Sequence, residues 1–389
     1  MIRILHVING LQRGGAEAML TKLLSRMDST RFENHVVTLI SGGALWHDVE
    51  PHCRSLASLD LNSPAQVPLS VFALWRRMRA LKPDIVQTWL YHGDLVGSVA
   101  ARLCGLPLIW NIRCSNIDTR QYSFASRSVL AVLPRLSGLP AAVIANSRAG
   151  RLAHEALGYR PKRWVVIPNG FDTDRFRPDP AAATDVRKEL GLAPDAFVVG
   201  MVARFDPQKD HETFVRAAAL HAGHHPQTRF VLIGRGLNVE CGPIVASVHA
   251  NGLQDKVLLL EERPDIPRVL QAFDVATLSS AFGEGFPNFV GEAMSCAVPC
   301  VVTDVGDSAV IVGETGRVVP PGDPAALAAA WATLADADPS ARRALGEAAR
   351  KRIVDHYALP AIVRQFEDLY AAVVNGKPTR RRSEVSPAL

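Results

Sequence analysis

Short runs of β-branched and other apolar residues alternate with helical stretches along most of this 389-residue chain, and the alternation starts afresh near residue 198. Few folds are compatible with that pattern. Strands that alternate with helices are joined by crossovers, which builds parallel sheets covered on both faces. In the first half the expected strands are 3–8, 35–40, 85–88, 108–111, 142–145 and 164–167, with helices over 16–27, 69–81, 95–103 and 149–157. In the second half they are 198–203, 229–233, 257–260, 275–278, 300–303 and 317–319, with helices over 213–222, 267–272, 287–294 and 324–334. Between the halves, Pro168-Asn169-Gly170-Phe171-Asp172-Thr173-Asp174 and the residues to Pro180 are rich in turn formers. This predicts an α/β protein of two doubly wound domains, 1–170 and 181–357, with a linker over 171–180. An amphipathic helix over 358–375 and a basic, disordered tail over 376–389 complete the division. Two such domains predict a ligand in a cleft facing the carboxyl ends of both sets of strands.

Charge narrows the function classes. The net charge is +5, and Lys377, Arg380, Arg381 and Arg382 against Glu384 place about three of those charges in the tail. A nearly neutral body argues against a nucleic-acid partner, which needs a basic face on the fold itself. The tail suits an anionic membrane surface or simple solubility. No apolar run reaches the roughly 18 residues of a spanning helix, and Met1–Ile8 reads as a first strand rather than a signal peptide. A cytoplasmic location, at most at the inner face of a membrane, is the expectation. The six cysteines show no metal spacing, and no metal is expected.

Three stretches carry chemistry. Ser280-Ala281-Phe282-Gly283-Glu284-Gly285-Phe286-Pro287-Asn288-Phe289-Val290-Gly291-Glu292 sets two glutamates eight positions apart across a loop-to-helix junction. Pro287 fits a first helical turn, and the amides from Gly285 to Asn288 would meet a phosphate there. Glu292, farther into the helix, can accept hydrogen bonds from sugar hydroxyls. Arg204 and Lys209, in Arg204-Phe205-Asp206-Pro207-Gln208-Lys209, follow the first strand of the second half. Two cations so placed can neutralise a departing diphosphate without a metal ion, although an Arg204–Asp206 surface pair is the plainer reading. Gly14 and Gly15 open the first helix and suit a phosphate or sugar. Arg263 and Asp265 end another strand, in a turn able to hold a nucleobase edge or simply to cap a helix, and His92 lies at a strand end. Asp172-Thr173-Asp174 imitates a metal-binding D-x-D but falls in the linker.

Taken in order, Gly14-Gly15-Ala16-Glu17, Pro168-Asn169-Gly170-Phe171-Asp172, Arg204…Lys209, Glu284-Gly285-Phe286-Pro287-Asn288…Glu292 and Gly316–Asp323 resemble glycosyltransferase family 4 along nearly the whole chain. The resemblance implies the GT-B fold, two Rossmann-like domains with a last helix crossing back to the first. It implies a retaining transfer from a nucleotide-sugar donor, UDP-sugar first among them, to a carbohydrate or lipid-linked acceptor in surface-glycan synthesis. It assigns Arg204 and Lys209 to the diphosphate, Glu292 to the ribose, Glu284 to the transferred sugar, and the Gly14-Gly15 loop to closing over the donor. Many relatives carry a histidine where this chain has Arg113, which leaves the catalytic step open. The acceptor loop would be 117–127. A GT-B epimerase or hydrolase is the alternative enzyme, and a catalytically inactive sugar-nucleotide-binding protein the alternative outside enzymes.

Overall fold

A computed structural model describes residues 1–61, 63, 66–115 and 123–376, without the side chains of Phe124 and Ala125. The basic tail beyond residue 376 and most of the expected acceptor loop lie outside the described residues. The chain divides into two compact units. Among the described residues, one comprises those of 1–113, 123–170 and 359–376; the other comprises 114–115 and 171–358.

Among the described residues, the first unit holds seven parallel strands: β1 (Ile2–Ile8), β2 (Phe32–Thr38), β3 (Ser55–Ser58), β4 (Ile85–Trp89), β5 (Leu108–Ile112), β6 (Ala142–Ala145) and β7 (Trp164–Val166), in the order β3-β2-β1-β4-β5-β6-β7. The second holds six: β8 (Val198–Val202), β9 (Arg229–Ile233), β10 (Val257–Leu260), β11 (Val275–Leu278), β12 (Cys300–Thr303) and β13 (Gly316–Val319), in the order β10-β9-β8-β11-β12-β13. Both sheets therefore reverse their winding once, at β1/β4 and at β8/β11. Helices cover both faces, so β4 and β5 are buried at every position, and side-chain alternation disappears from their sequences.

Several expectations shift. The second strand runs Phe32–Thr38 rather than 35–40, because Leu39 and Ile40 already bond the turn after β1 through Ile8 and Asn9. Strand β3, Ser55–Ser58, was unmarked in sequence, being short and only half buried at an edge. The helix expected over 95–103 begins at Leu90, five residues early, with Leu90 itself at φ +65°. Residues 171–180 are no free linker: Phe171 and Phe176 are buried in the core of the second unit, and a Cβ on Gly291 would stand 2.1 Å from the Phe171 ring. The last helix, Leu359–Val374, joins the first unit. Its Phe366 stacks on Trp89 with centroids 6.4 Å apart, its Glu367 accepts from the Asp28 amide at 2.9 Å, and its Tyr370 hydroxyl donates to Gln87.

Candidate active site

At a reversal of winding, the loops leaving two neighbouring strands diverge and open a crevice at the strand ends. In the second unit those loops are 203–210 after β8 and 279–287 after β11, and hydrogen bonds tie them together. The Ala281 amide donates to the Gln208 carbonyl at 2.9 Å, and Ser279 Oγ donates to the carbonyls of Lys209 and Asp210 at 2.8 and 3.2 Å. Asp206 starts the short turn Pro207–Lys209 by accepting from the Gln208 amide at 2.9 Å. Asp210 then takes a left-handed conformation at φ +49° and caps the helix His211–His224, accepting from the Thr213 amide at 3.1 Å.

This geometry aims Lys209 across the crevice. Its ammonium donates to Glu284 Oε1 at 2.5 Å, and Ser280 Oγ donates to the same oxygen at 2.6 Å. Glu284 is only 6% exposed, so its charge is held almost out of water, beside a lysine and a hydroxyl. Ser280 is fixed in turn, its carbonyl accepting from Thr303 Oγ1 at 2.6 Å. Two contacts set the backbone of Glu284. Ser115 Oγ donates to its carbonyl, and Gly306 at φ +64° lies so close that a Cβ there would fall 2.0 Å from the same oxygen. Only glycine fits that approach. Arg204, in the same loop as Lys209, is nearly half exposed; Nε donates to Asp206 at 3.0 Å and Nη2 to Gln208 at 3.3 Å.

The glutamate-bearing helix runs Asn288–Ser295, one residue later than expected. Pro287 is its cap, at extended φ −72°, ψ 118°, and not a member of its first turn. The Phe286 side chain turns inward, 6.2 Å from the Phe171 ring and 5.2 Å from Tyr357 between centroids, so only its backbone can face a ligand. The Gly285 carbonyl accepts from the Asp307 amide at 2.9 Å. Glu292 is the fifth residue of the helix and half buried.

Arg263 is not an open cation. It clamps Asp265 through two bonds of 2.9 and 2.8 Å and reaches Glu189 at 2.8 Å, while Arg268 reaches Glu189 at 2.6 Å. The Arg263 guanidinium holds the Asp265 carboxyl down to about 2. Nor does Asp265 cap its helix through its side chain, because the arginine has taken both oxygens. The turn at Gly234–Gly236 is likewise occupied from within: the Gly236 amide donates to Glu261 at 2.9 Å. Asp172 bonds the amides of Asp174 and Arg175, which makes Asp172-Thr173-Asp174 a turn. Among the described residues, no group of three or more His, Cys, Asp or Glu is placed to hold a metal ion.

In the first unit, Gly14 caps the helix Gly15–Arg26 without any side-chain bond, and both glycines are exposed. His92, in the first turn of Leu90–Cys104, lies 3.5 Å from Ser126 Oγ and is lowered in pKa by burial. Arg113 follows β5 and donates to the amide oxygens of Asn169 and, at 3.5 Å, Asn111, with its guanidinium 5.8 Å from the centre of the Trp89 ring. No carboxylate pairs with it among the described residues, its Nε has no partner, and burial pulls its pKa down to about 9. The structure thus joins Lys209 directly to Glu284 and sets Arg204 in the same loop. It places Gly14, Gly15 and His92 in the other unit and gives Arg263 to an ion cluster. Ser280, Thr303, Ser115 and Gly306 escaped the sequence reading; the first two are ordinary strand-end hydroxyls, and the others act from distant segments.

Comparison with known proteins bears on the family and the fold. Residues 13–175 match the family model Glycosyltransferase Family 4, and residues 196–337 match Glycosyl transferases group 1. The chain is 27% identical over 319 residues to a putative glycosyltransferase EpsF of Bacillus subtilis, covering 78% of this chain and 79% of that protein. It is 28% identical over 320 residues to the UDP-Gal:alpha-D-GlcNAc-diphosphoundecaprenol alpha-1,3-galactosyltransferase of Escherichia coli, covering 79% and 80%. The fold is similar to that of Anabaena Alr3699/HepE in complex with UDP, at a TM-score of 0.82 and 24% identity over 95% of this chain and 100% of that one. Sucrose-phosphate synthase from Thermosynechococcus elongatus gives a TM-score of 0.78 at 22% identity, over 97% and 100%. The two family matches together span more than three quarters of the chain, which belongs to the glycosyltransferases of family 4 and group 1 and has their GT-B fold.

Proposed function

We propose that this glycosyltransferase moves a hexose from a UDP-sugar to a glycan or lipid-linked acceptor, with retention of anomeric configuration and without a metal ion. The observation that carries the reading is the buried Lys209–Glu284 pair at the β8/β11 reversal. A lysine ammonium has three donors. Glu284 takes one of them, which leaves two for diphosphate oxygens in a site where water screens little. Arg204 stands beside it with unused guanidinium donors and adds a second positive charge to a leaving diphosphate. Glu284 Oε1 receives both Lys209 and Ser280, so Oε2 is left to accept from a hydroxyl of the transferred sugar. Amides from Gly285 to Asn288 extend the phosphate site, and Glu292 takes the ribose hydroxyls.

The UDP donor and lipid-linked acceptor are supported by what relatives are named for. The Escherichia coli relative uses UDP-Gal and a diphosphoundecaprenol-linked sugar, and the Anabaena structure holds UDP. A lipid-linked acceptor would put the work at the cytoplasmic face of a membrane. Among the described residues, no helix is long and apolar enough to cross one.

Incubation of the protein with radiolabelled UDP-hexoses, with and without polyprenyl-diphosphate sugars, tests the reading. Label passing into the lipid fraction, with an anomeric proton coupling that matches the donor's, is the expected result. Release of free sugar or of an altered nucleotide sugar without acceptor labelling would favour a hydrolase or epimerase. UDP binding with no turnover on any acceptor would favour a catalytically inactive binding protein.

A further inference from the structure

The helix Val67–Leu81 turns Ser70, Leu74 and Met78 into the first unit's core, at the i, i+4 spacing of a single buried stripe. Its apolar residues do not stop there. Leu69 is 68% exposed and Phe72 55% exposed, on the outer side of the same helix. One and two turns farther along that outer side come the exposed Arg76 and Arg79, and exposed Lys82 ends the helix in a left-handed conformation. Phe72 stacks on Trp75 at 5.6 Å, and the Arg79 guanidinium lies 6.0 Å from the Trp75 ring centre. The neighbouring helix Leu90–Cys104 adds exposed Val99, Arg102 and Leu103.

The charge on this surface has one sign. Val67–Leu81 contains three arginines and no acidic residue, and the only acidic residue of the neighbouring helix, Asp94, is wholly buried. Asp84, just past the helix, is occupied by the Arg3 amide at 2.7 Å. Protruding apolar side chains at one end of a stripe and cations at the other suit a bilayer boundary. There the apolar groups enter among the acyl chains, and the arginines meet lipid phosphates while their stems lie along the apolar layer. An acidic protein would match the cations but would need a pocket for each protruding side chain. We propose that the outer face of Val67–Leu81 docks this enzyme on an anionic lipid bilayer, with Leu69 and Phe72 inserted and Arg76, Arg79 and Lys82 on the headgroups.

Vesicle co-sedimentation of the full chain tests this without any sugar substrate, so its outcome is separable from that of the donor reading. The probes are vesicles of phosphatidylcholine alone and of phosphatidylcholine with phosphatidylglycerol. Wild type should bind the anionic vesicles at least about tenfold more tightly than the neutral ones, and more weakly as salt is raised. L69S/F72S and R76E/R79E should each weaken that binding at least about tenfold. Their melting temperatures and UDP affinities should stay at wild-type values, which separates docking from misfolding. R380S/R381S/R382S, in the basic tail, should retain binding. Absence of wild-type binding, unchanged binding in both helix variants, or loss confined to the tail variant would each overturn the proposal. So would binding that both helix variants lose only together with their folded melting transition.

Discussion

Lys209 and Glu284 meet at 2.5 Å from loops that leave adjacent strands of one sheet, with their side chains 15% and 7% exposed. A pair this dry stabilises little over an apolar replacement but is costly to break, because one charge is left buried and unpaired. Lys209→Met should therefore lower stability by about 3 kcal/mol or more, whereas the double variant Lys209→Met, Glu284→Gln should recover part of that loss. Urea unfolding of Lys209→Met, Glu284→Gln and the double variant measures the coupling. Strict additivity would mean that the contact carries no energy.

Gly306 should tolerate no side chain. A Cβ placed 2.0 Å from the Glu284 carbonyl forces backbone apart, and φ +64° adds strain for any L-residue. Gly306→Ala should lose transfer activity at least about a hundredfold while keeping a cooperative melt, since a displacement of about 1 Å at a reacting group costs that much. Activity within about twofold of wild type would show that the position of Glu284 does not matter.

Arg113 offers a second separation of stability from activity. Its charge is desolvated, depressed to about 9 in pKa, and surrounded by neutral amides instead of a carboxylate. Removing an unpaired buried charge is neutral or stabilising for a fold. We infer that Arg113, standing where many relatives carry a histidine, contacts the donor; Arg113→Met should then melt no lower than wild type but transfer sugar at least about tenfold more slowly. A large drop in melting temperature with kcat/KM preserved would mean that the arginine is structural.

Acid sensitivity should come partly from His6. It is wholly buried, bonds Asn34 at 3.1 Å through Nε2, and receives the Trp89 indole N–H at 3.3 Å on Nδ1. Burial lowers its pKa to about 4. The unfolded chain takes up this proton near the ordinary value of about 6.5 and the folded chain only near 4, so the unfolded state binds more protons in between. The stability that His6 contributes is complete above about pH 6.5 and is lost as pH falls towards 4, by on the order of 3 kcal/mol. His6→Gln should flatten the stability slope in that window by the corresponding amount. An unchanged slope would assign the acid sensitivity to other groups.

Most of the fold was legible because strands buried on both faces declare themselves as apolar runs; β6, β9, β11 and β12 have the bounds read from sequence, as does β10, a half-buried edge strand that is also an apolar run. The misses have physical causes. Ser55–Ser58 is a polar edge strand, and Pro287 stops one residue short of the helix it was expected to open. Phe171 and Phe176 sit among turn formers, yet the second core claims them. In the site, strand ends and glycines pointed to Lys209, Arg204 and Glu284. Sequence could not reveal that Arg263 is consumed by Asp265 and Glu189, or that Ser115 and Gly306 fix the Glu284 backbone, because those contacts span 22 to 169 residues of chain in three of four cases.

On the proposed reading Lys209, held by Glu284, binds the donor's diphosphate without metal help. Isothermal calorimetry of UDP with wild type and Lys209→Ala, both in excess chelator, addresses it most directly. We predict that wild type binds UDP in chelator and that Lys209→Ala binds at least about tenfold more weakly, the loss of one charge-assisted contact. Equal affinities in the two proteins, or wild-type binding that appears only when a divalent cation is restored, would contradict the account.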